Sequence, residues 1–196
     1  MKTNHQIEKR KNEIEQLIEK FLKIIVKDTR GMEDTPERVA RMWASMLYGY
    51  DETNQVEAQR DNNHFNFNQM VATTGIPVRT VCRHHLLPVI GYATVAYVPN
   101  KWVIGLSKMN RIVDFHSSKL QLQEQLTEDI HKTIVMHTDT HEVAVLIKAM
   151  HTCMIARGVE SERSITTTCK LSGEFISHAD VRSEFMNLEH VIPGQK

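Results

Sequence analysis

The sequence is short of cysteine, of aromatic residues and of any excess of charge. Its 196 residues include 3 cysteines and 6% aromatic residues, and the basic and acidic side chains number 24 each. Three widely spaced cysteines are too few for a disulfide framework, and an odd number leaves one unpaired. The charge balance argues against a nucleic-acid-binding surface, because phosphate backbones require a clear basic excess. In a reducing compartment, metal ligation is the better use for two of the cysteines.

Long apolar runs are also missing. The first 25 residues alternate charged side chains with Ile and Leu, and contain no stretch of signal-peptide or membrane-spanning length. We therefore expect a cytoplasmic protein. The length and an apolar fraction of 41% are typical of a folded globular protein with a core of its own.

Two helices are predicted near the N-terminus. Apolar residues from Ile7 to Ile25 recur at helical spacing, which indicates one stripe of a long amphipathic helix. The run Asp34-Thr35-Pro36-Glu37 predicts a second helix start, with a capping side chain and an early proline. Residues 1–50 are expected to form an N-terminal helical region, followed by a second region over residues 64–190 of a single functional domain.

The rest of the chain predicts an α+β arrangement in which helices cover one sheet face. Residues 71–106 are rich in Thr, Val, Ile and Tyr, which predicts strands that include Tyr92 to Val98 and Trp102 to Leu106, joined by a short turn. Helical spacing then returns from Ser107. The later elements are an antiparallel strand pair, Val143 to Ala149 with Ser164 to Leu171, and a closing helix over Val181 to Leu188.

Cysteine and histidine come together in two places. Cys82 and His85 are three positions apart where a strand gives way to a loop, and zinc favours this mixture of sulfur and nitrogen. His151 and Cys153 follow the apolar strand, and residues two apart on a strand share a face. Three protein ligands with the fourth position left to water is a catalytic zinc arrangement, which Cys82, His85 and Cys153 would supply. The alternative is a buried cysteine beside solvent-facing histidines.

The other cysteine and the other histidines are assigned no chemistry. Cys169 lies in a Thr-rich run and is expected to be a core or sheet-face residue rather than a fourth ligand. The histidines in polar contexts are expected at the surface. They are His5, His64, His116, His131, His137, His141, His178 and His190.

Five segments resemble the GTP cyclohydrolase I family, in the family's order and spacing. They are Asp34 to Ala40, Cys82 to His85, Gly105 to Arg111, Gln121 to Thr127, and His151 to Gly158. The resemblance implies a tunnelling fold, with N-terminal helices, then a strand pair, a helix pair and a strand pair. It also implies that the sheets assemble into an oligomeric β-barrel, in a homodecamer of two stacked pentamers.

The resemblance further implies a reaction and its cofactor. GTP and water would be converted to 7,8-dihydroneopterin triphosphate and formate, with one zinc per subunit, feeding folate, pterin or deazapurine synthesis. His84 and His151 match the family's acid-base histidines, and Glu124 matches its carboxylate against the guanine edge. Further substrate contacts are implied for Gln123 and for Arg38, Ser107, Lys108, Arg111 and Arg157, with Arg38 supplied by a neighbouring subunit.

One residue departs from the family pattern, which has an acidic residue directly after the first ligand cysteine. This sequence has Arg83 there. A positive charge beside a thiolate stabilises the deprotonated sulfur and attracts anions, unless the side chain points away and pairs elsewhere.

Two alternatives to GTP cyclohydrolysis stay open at this point. One is another tunnelling-fold enzyme acting on a pterin or a deazapurine, because one fold can host several chemistries. The other is a catalytically inactive zinc-binding paralogue, which would require a closed zinc site or missing acid-base histidines.

Overall fold

The computed structural model describes residues 4–57 and 60–188. The chain divides into two compact units, one ending at Gln55 and the other beginning at Val56. Among the described residues, no helix is both long and apolar enough to cross a membrane. The surface position predicted for His190 lies outside the described residues.

The first unit is helical. Its elements are α1 (His5–Lys9), α2 (Lys11–Ile25), α3 (Thr35–Met46) and two short 3-10 turns at Tyr48–Tyr50 and Glu52–Asn54. The single long helix predicted over the first part is therefore two helices, separated at Arg10, whose φ of -107° and ψ of 15° lie outside the helical range.

Asn4, and not Asp34, supplies a side-chain cap in this unit. Asn4 Oδ1 accepts hydrogen bonds from the N–H groups of Gln6 and Ile7 at 3.0 and 3.2 Å, which satisfies donors that a helix start leaves unpaired. The predicted capping role of Asp34 is wrong, because its side chain makes no cap bond. It pairs instead with Arg38, 3.1 Å away along α3. The predicted helix start with its early proline is confirmed.

In its described part, the second unit contains a five-stranded sheet and a two-stranded one. Its strands are β1 (Arg60–Asn62), β2 (Val71–Cys82), β3 (Pro88–Tyr97), β4 (Trp102–Ile104), β5 (Leu120–Gln121), β6 (Val143–His151) and β7 (Thr166–Leu171). The large sheet has the order β5-β2-β3-β6-β7, and all its pairs are antiparallel except β2 with β5. The predicted pairing of the two later runs is confirmed by β6 and β7.

The predicted order of strand pair, helix pair and strand pair requires β4 to pair with β3. The structure does not have this pairing. β4 pairs with β1, which lies in the segment before the large sheet, and β3 lies between β2 and β6. β4 has three residues and can form few backbone hydrogen bonds. The longer strands β2 and β6 therefore pair with β3 instead.

The predicted helical cover lies over one face of the large sheet, and two short helices also pack against part of the other face. On one face lie α4 (Leu106–Ser117) and α5 (Gln123–Thr138), whose buried side chains Ile112, Leu126 and Ile130 join the main core. On the other face lie α7 (Glu174–Ser177) and α8 (Ala179–Asn187), which confirms the predicted closing helix. Phe175 and Phe185 from these helices are fully buried against the sheet, and each such burial is worth roughly 1.5–3 kcal/mol.

Three histidines predicted at the surface are buried, so those predictions are wrong. His116, His131 and His137 are 9%, 6% and 7% exposed. His116 stands three or four positions after buried Ile112 and Val113, and that spacing returns a helical residue to the core face. Burial takes precedence over the polarity of the sequence neighbours. Cys169 is exposed and faces out from β7, as the sheet-face alternative predicted.

Candidate metal centre

The end of β2 and the turn after it position the first two candidate ligands. Cys82 is the last residue of β2. Its N–H donates to the carbonyl of Leu87 and its carbonyl accepts from Leu86 N–H, both at 2.9 Å, which closes a tight loop around His85. Leu86 closes that loop with a φ of 55°, a conformation that few residues other than glycine adopt. The local backbone therefore holds Cys82 and His85 on one short hairpin.

The register of β3 with β6 brings the third ligand to the same place. Val89 pairs with His151, so the end of β6 lies beside the start of β3, directly after the hairpin. The Thr152 hydroxyl donates to the carbonyl of Pro88 at 2.7 Å and extends the contact beyond the last ladder pair. Cys153 lies in the short helix α6 (Thr152–Ile155) that begins there.

The candidate ligand atoms of Cys82, His85 and Cys153 all lie within 4.8 Å of one another. Cys82 Sγ is 3.8 Å from His85 Nδ1. Burial and the neighbouring Cys82 thiol raise the pKa of Cys153, and a bound cation would reverse this shift because it stabilises the thiolate. Within residues 4–57 and 60–188, no fourth Cys, His, Asp or Glu side chain joins the group. Two thiols and an imidazole fit a divalent ion of borderline softness, with a position left open.

Arg157 lies against the metal group. Its guanidinium Nη1 is in hydrogen-bond contact with His85 Nε2. Arg157 and His85 are both exposed, so this positive charge stands where the group opens to solvent. Such a position suits an anionic part of a ligand bound at the group.

The two candidate acid-base histidines stand in different surroundings. His84 is exposed, and its ring meets the His85 ring edge to face with centroids 6.2 Å apart. His151 is partly buried, and its Nε2 lies 2.7 Å from Gln123 Oε1. Burial lowers the pKa of His151, while the nearby carboxylate of Glu124 acts in the opposite direction. The structure therefore brings Gln123, Glu124 and His151 together at the start of α5.

The other candidate substrate contacts lie on helices. Ser107, Lys108 and Arg111 are in the first two turns of α4, where Ser107 and Arg111 are exposed. Lys108 Nζ donates to the carbonyl of Glu57 at 2.9 Å. Arg38 belongs to the helical unit, where it is exposed and paired with Asp34.

Sequence reasoning missed two groups at this site. The Thr152 hydroxyl fixes the turn that carries Cys153, and Thr168 lies 3.1 Å from the Gln123 amide nitrogen. The Thr-rich composition of β7 predicts a strand but does not by itself indicate a polar contact. Side chains alternate between the faces of a strand, so Thr166 and Thr168 lie on one face of β7. This shared face could have been predicted from the sequence.

The sequence is similar to proteins of one known family. The family described as GTP cyclohydrolase I matches residues 14–190. A GTP cyclohydrolase 1 from Sulfurihydrogenibium sp. (strain YO3AOP1) is 42% identical over 180 residues, 91% of this chain and 94% of that protein. One from Haemophilus ducreyi (strain 35000HP / ATCC 700724) is 35% identical over 184 residues, covering 92% and 84%. One from Chlorobium phaeovibrioides (strain DSM 265 / 1930) is 40% identical over 161 residues, covering 82% and 72%.

Among solved structures, the archaeosine synthase QueF-Like in the apo form has a TM-score of 0.42 at 18% identity, covering 55% of this chain and 94% of that one. The sequence relatives are far more similar and extend over most of the chain. With the family match reaching from the helical unit through the candidate metal centre, the chain belongs to the GTP cyclohydrolase I family.

Proposed function

We propose that this chain opens the imidazole ring of GTP by hydrolysis, forming 7,8-dihydroneopterin triphosphate and formate. The observation that carries the proposal is the group of three ligand atoms within 4.8 Å of one another, with two histidines that are not part of it close by in the chain. Its product would feed folate, pterin or deazapurine synthesis in the cytoplasm. The catalytic work belongs to the region over residues 64–190.

Cys82, His85 and Cys153 are the residues that would hold zinc. A zinc ion held by these residues would supply a nucleophile near neutral pH, since zinc lowers the pKa of a bound water to about 7. His84 and His151 move protons to and from the opening ring, a task that suits imidazole because its ordinary pKa lies near neutrality. Neither histidine is needed to complete the three-ligand group.

The remaining residues bind and orient the nucleotide. Glu124 accepts hydrogen bonds from the guanine edge, and its exposed carboxylate near His151 supports that role. The chain has no net charge, so binding the anionic triphosphate requires several basic side chains close together. We assign this binding to Ser107, Lys108, Arg111 and Arg157, with Arg38 of a neighbouring subunit.

We also propose that the active form is a homodecamer whose sheets join into a β-barrel. β7 forms an edge of the large sheet, and an edge strand is a template for pairing with another chain. Ile90, Tyr92 and Met150 lie on the sheet face that α7 and α8 cover only in part. They are 51%, 47% and 43% exposed, which leaves an apolar patch for a partner to cover. If Arg38 acts in trans, inactive Arg38→Ala and His151→Ala proteins regain activity when their subunits are mixed. A fully active monomer in sedimentation would contradict this arrangement.

The test of the function is incubation of the zinc-loaded protein with GTP while formate and dihydroneopterin triphosphate are recorded. Formate release separates GTP cyclohydrolysis from other chemistry on pterins or deazapurines, because the ring carbon leaves only when the imidazole ring is hydrolysed. The absence of turnover in fully loaded protein would refute the proposal.

A further inference from the structure

Gln123 occupies an enclosed position at the start of α5. It is the first residue of that helix and is 4% exposed. Its side-chain nitrogen lies 3.1 Å from the Ile147 carbonyl, 3.0 Å from the Thr166 carbonyl and 3.1 Å from the Thr168 hydroxyl. The amide therefore lies between α5, β6 and β7.

These neighbours fix which way the amide faces. Backbone carbonyls can only accept hydrogen bonds, so the NH₂ end of Gln123 must face Ile147 and Thr166. The amide oxygen then faces His151 Nε2 at 2.7 Å. Because an amide oxygen can only accept, His151 carries its hydrogen on Nε2 and the lone pair of the neutral ring lies on Nδ1.

A second set of bonds gives the network a single direction. The Thr127 hydroxyl donates to the backbone carbonyl of Gln123 at 2.8 Å, which uses its one hydrogen. Thr127 must then accept from the Thr168 hydroxyl, 2.6 Å away, and Thr168 is left to accept from the Gln123 amide. The two hydrogens of the Gln123 amide are shared among three acceptors, the Ile147 and Thr166 carbonyls and the Thr168 hydroxyl. Reversing the amide would place its oxygen against the two carbonyl oxygens.

We propose that Gln123 is a positioning residue that fixes the ring orientation and the tautomer of His151, an inference that rests on the proposed function. The resemblance implies a substrate contact at this position. A substrate could reach this amide only by breaking bonds that the protein already makes, and an unpaired buried group is costly. Gln123 acts on the reaction through His151, while its neighbour Glu124 faces solvent.

The test is a double-mutant cycle between Gln123→Met and His151→Ala in the full-length, zinc-loaded protein. Displacing a reacting group by about 1 Å costs about 10²-fold in rate, so Gln123→Met is expected to lower kcat by about 10²-fold with little change in KM. In the His151→Ala background the same change should alter kcat by less than about twofold, because the residue through which it acts is gone. Gln125→Met, an exposed glutamine on the same helix, is the matched control and should keep wild-type kinetics.

Binding supplies a second readout that does not depend on residual turnover. Titration of GTP into His151→Ala and into His151→Ala with Gln123→Met should give equal Kd values. A Kd more than about tenfold weaker in the double variant, or equal kcat losses in both backgrounds, overturns the proposal in favour of a substrate contact. If Gln123→Met does not fold, Thr168→Val enters the same cycle, since it breaks the direction of the network and leaves Gln123 in place. Failure of the wild-type protein to release formate from GTP contradicts the proposed function instead.

Discussion

His116 should make the folded protein sensitive to mild acid. Its ring is buried between α4 and α5, where Nε2 lies 2.7 Å from the Thr133 hydroxyl. Its Nδ1 has no hydrogen-bond partner among residues 4–57 and 60–188. Burial, reinforced by the Lys119 charge, lowers the pKa of His116 to about 4, against an opposing effect of Asp129. The unfolded chain binds a proton near the ordinary pKa of 6.5, so the unfolded state gains protons first as the pH falls.

The size of the effect follows from the difference between the two pKa values. Between pH 6.5 and about 4 the folded ring stays neutral while the unfolded ring is charged, and each pKa unit corresponds to about 1.4 kcal/mol. The free energy of unfolding should therefore fall by up to about 3 kcal/mol as the pH is lowered through this range, and none of this loss should occur above the unfolded pKa. Below about pH 4 the folded ring is protonated as well, and the contribution of His116 levels off.

The measurement is urea unfolding of wild-type and His116→Gln proteins across this pH range, at one protein concentration. Gln can keep a hydrogen bond to Thr133 and does not titrate, so the wild-type protein should lose up to about 3 kcal/mol more than the variant on acidification. His64→Gln, which changes an exposed histidine, is the control and should follow the wild-type curve. Parallel curves for wild-type and His116→Gln proteins would refute the argument, because they would show that His116 titrates alike in both states.

Three further predictions concern the metal group and the strands beneath it. Cys153→Ala should remove bound zinc and turnover together, whereas Cys169→Ala should retain both, and unchanged metal content in Cys153→Ala would refute the ligand set. His84→Ala should lose about 10²- to 10⁴-fold in activity with zinc content unchanged, so loss of the metal would make His84 a ligand. Gly91→Ala should lower the free energy of unfolding by about 1–3 kcal/mol in thermal or urea unfolding, because a Cβ there would clash with the β6 backbone. The control is Gly105→Ala, where a Cβ fits at 3.8 Å from Lys108. Equal stability of the two variants would contradict this reasoning.

The candidate site could be predicted from sequence further than the fold around it. Cys82, His85 and Cys153 are recognisable because metal chemistry restricts the residue types, and their convergence is confirmed by the geometry. The pairing of β6 with β7 was also predictable, because both runs have strand composition, and it is confirmed by their antiparallel register. The partner of β4 was not predictable from the sequence. A short strand can pair with a distant segment, and β1 lies about forty residues earlier in the chain.

The buried polar network was beyond the reach of the sequence for a different reason. Gln123 directly precedes Glu124, and a Gln-Glu pair on a helix is usually solvated. Its burial depends on the parallel pairing of β2 with β5, in which Cys82 lies opposite Gln121 and the start of α5 is drawn toward the sheet. The same tertiary packing buries His131 beside Ser172, which polarity alone placed at the surface. Spacing from Thr127 and Ile134 would have placed His131 on the buried face of α5.

The ligands of the metal group come from the two ends of a long stretch of chain, and this affects the stability of the folded protein. Cys82 and Cys153 enclose about 70 residues, including β3, both core helices and β6. An ion bound by both ends acts as a removable staple across most of the sheet, and closing a loop of that length is worth about 4 kcal/mol in the chain-entropy treatment of cross-links. Metal supply would then govern the lifetime of the folded enzyme as well as its rate, because binding to the folded state alone opposes unfolding. The metal-free protein should therefore unfold at a lower urea concentration than the metal-loaded protein.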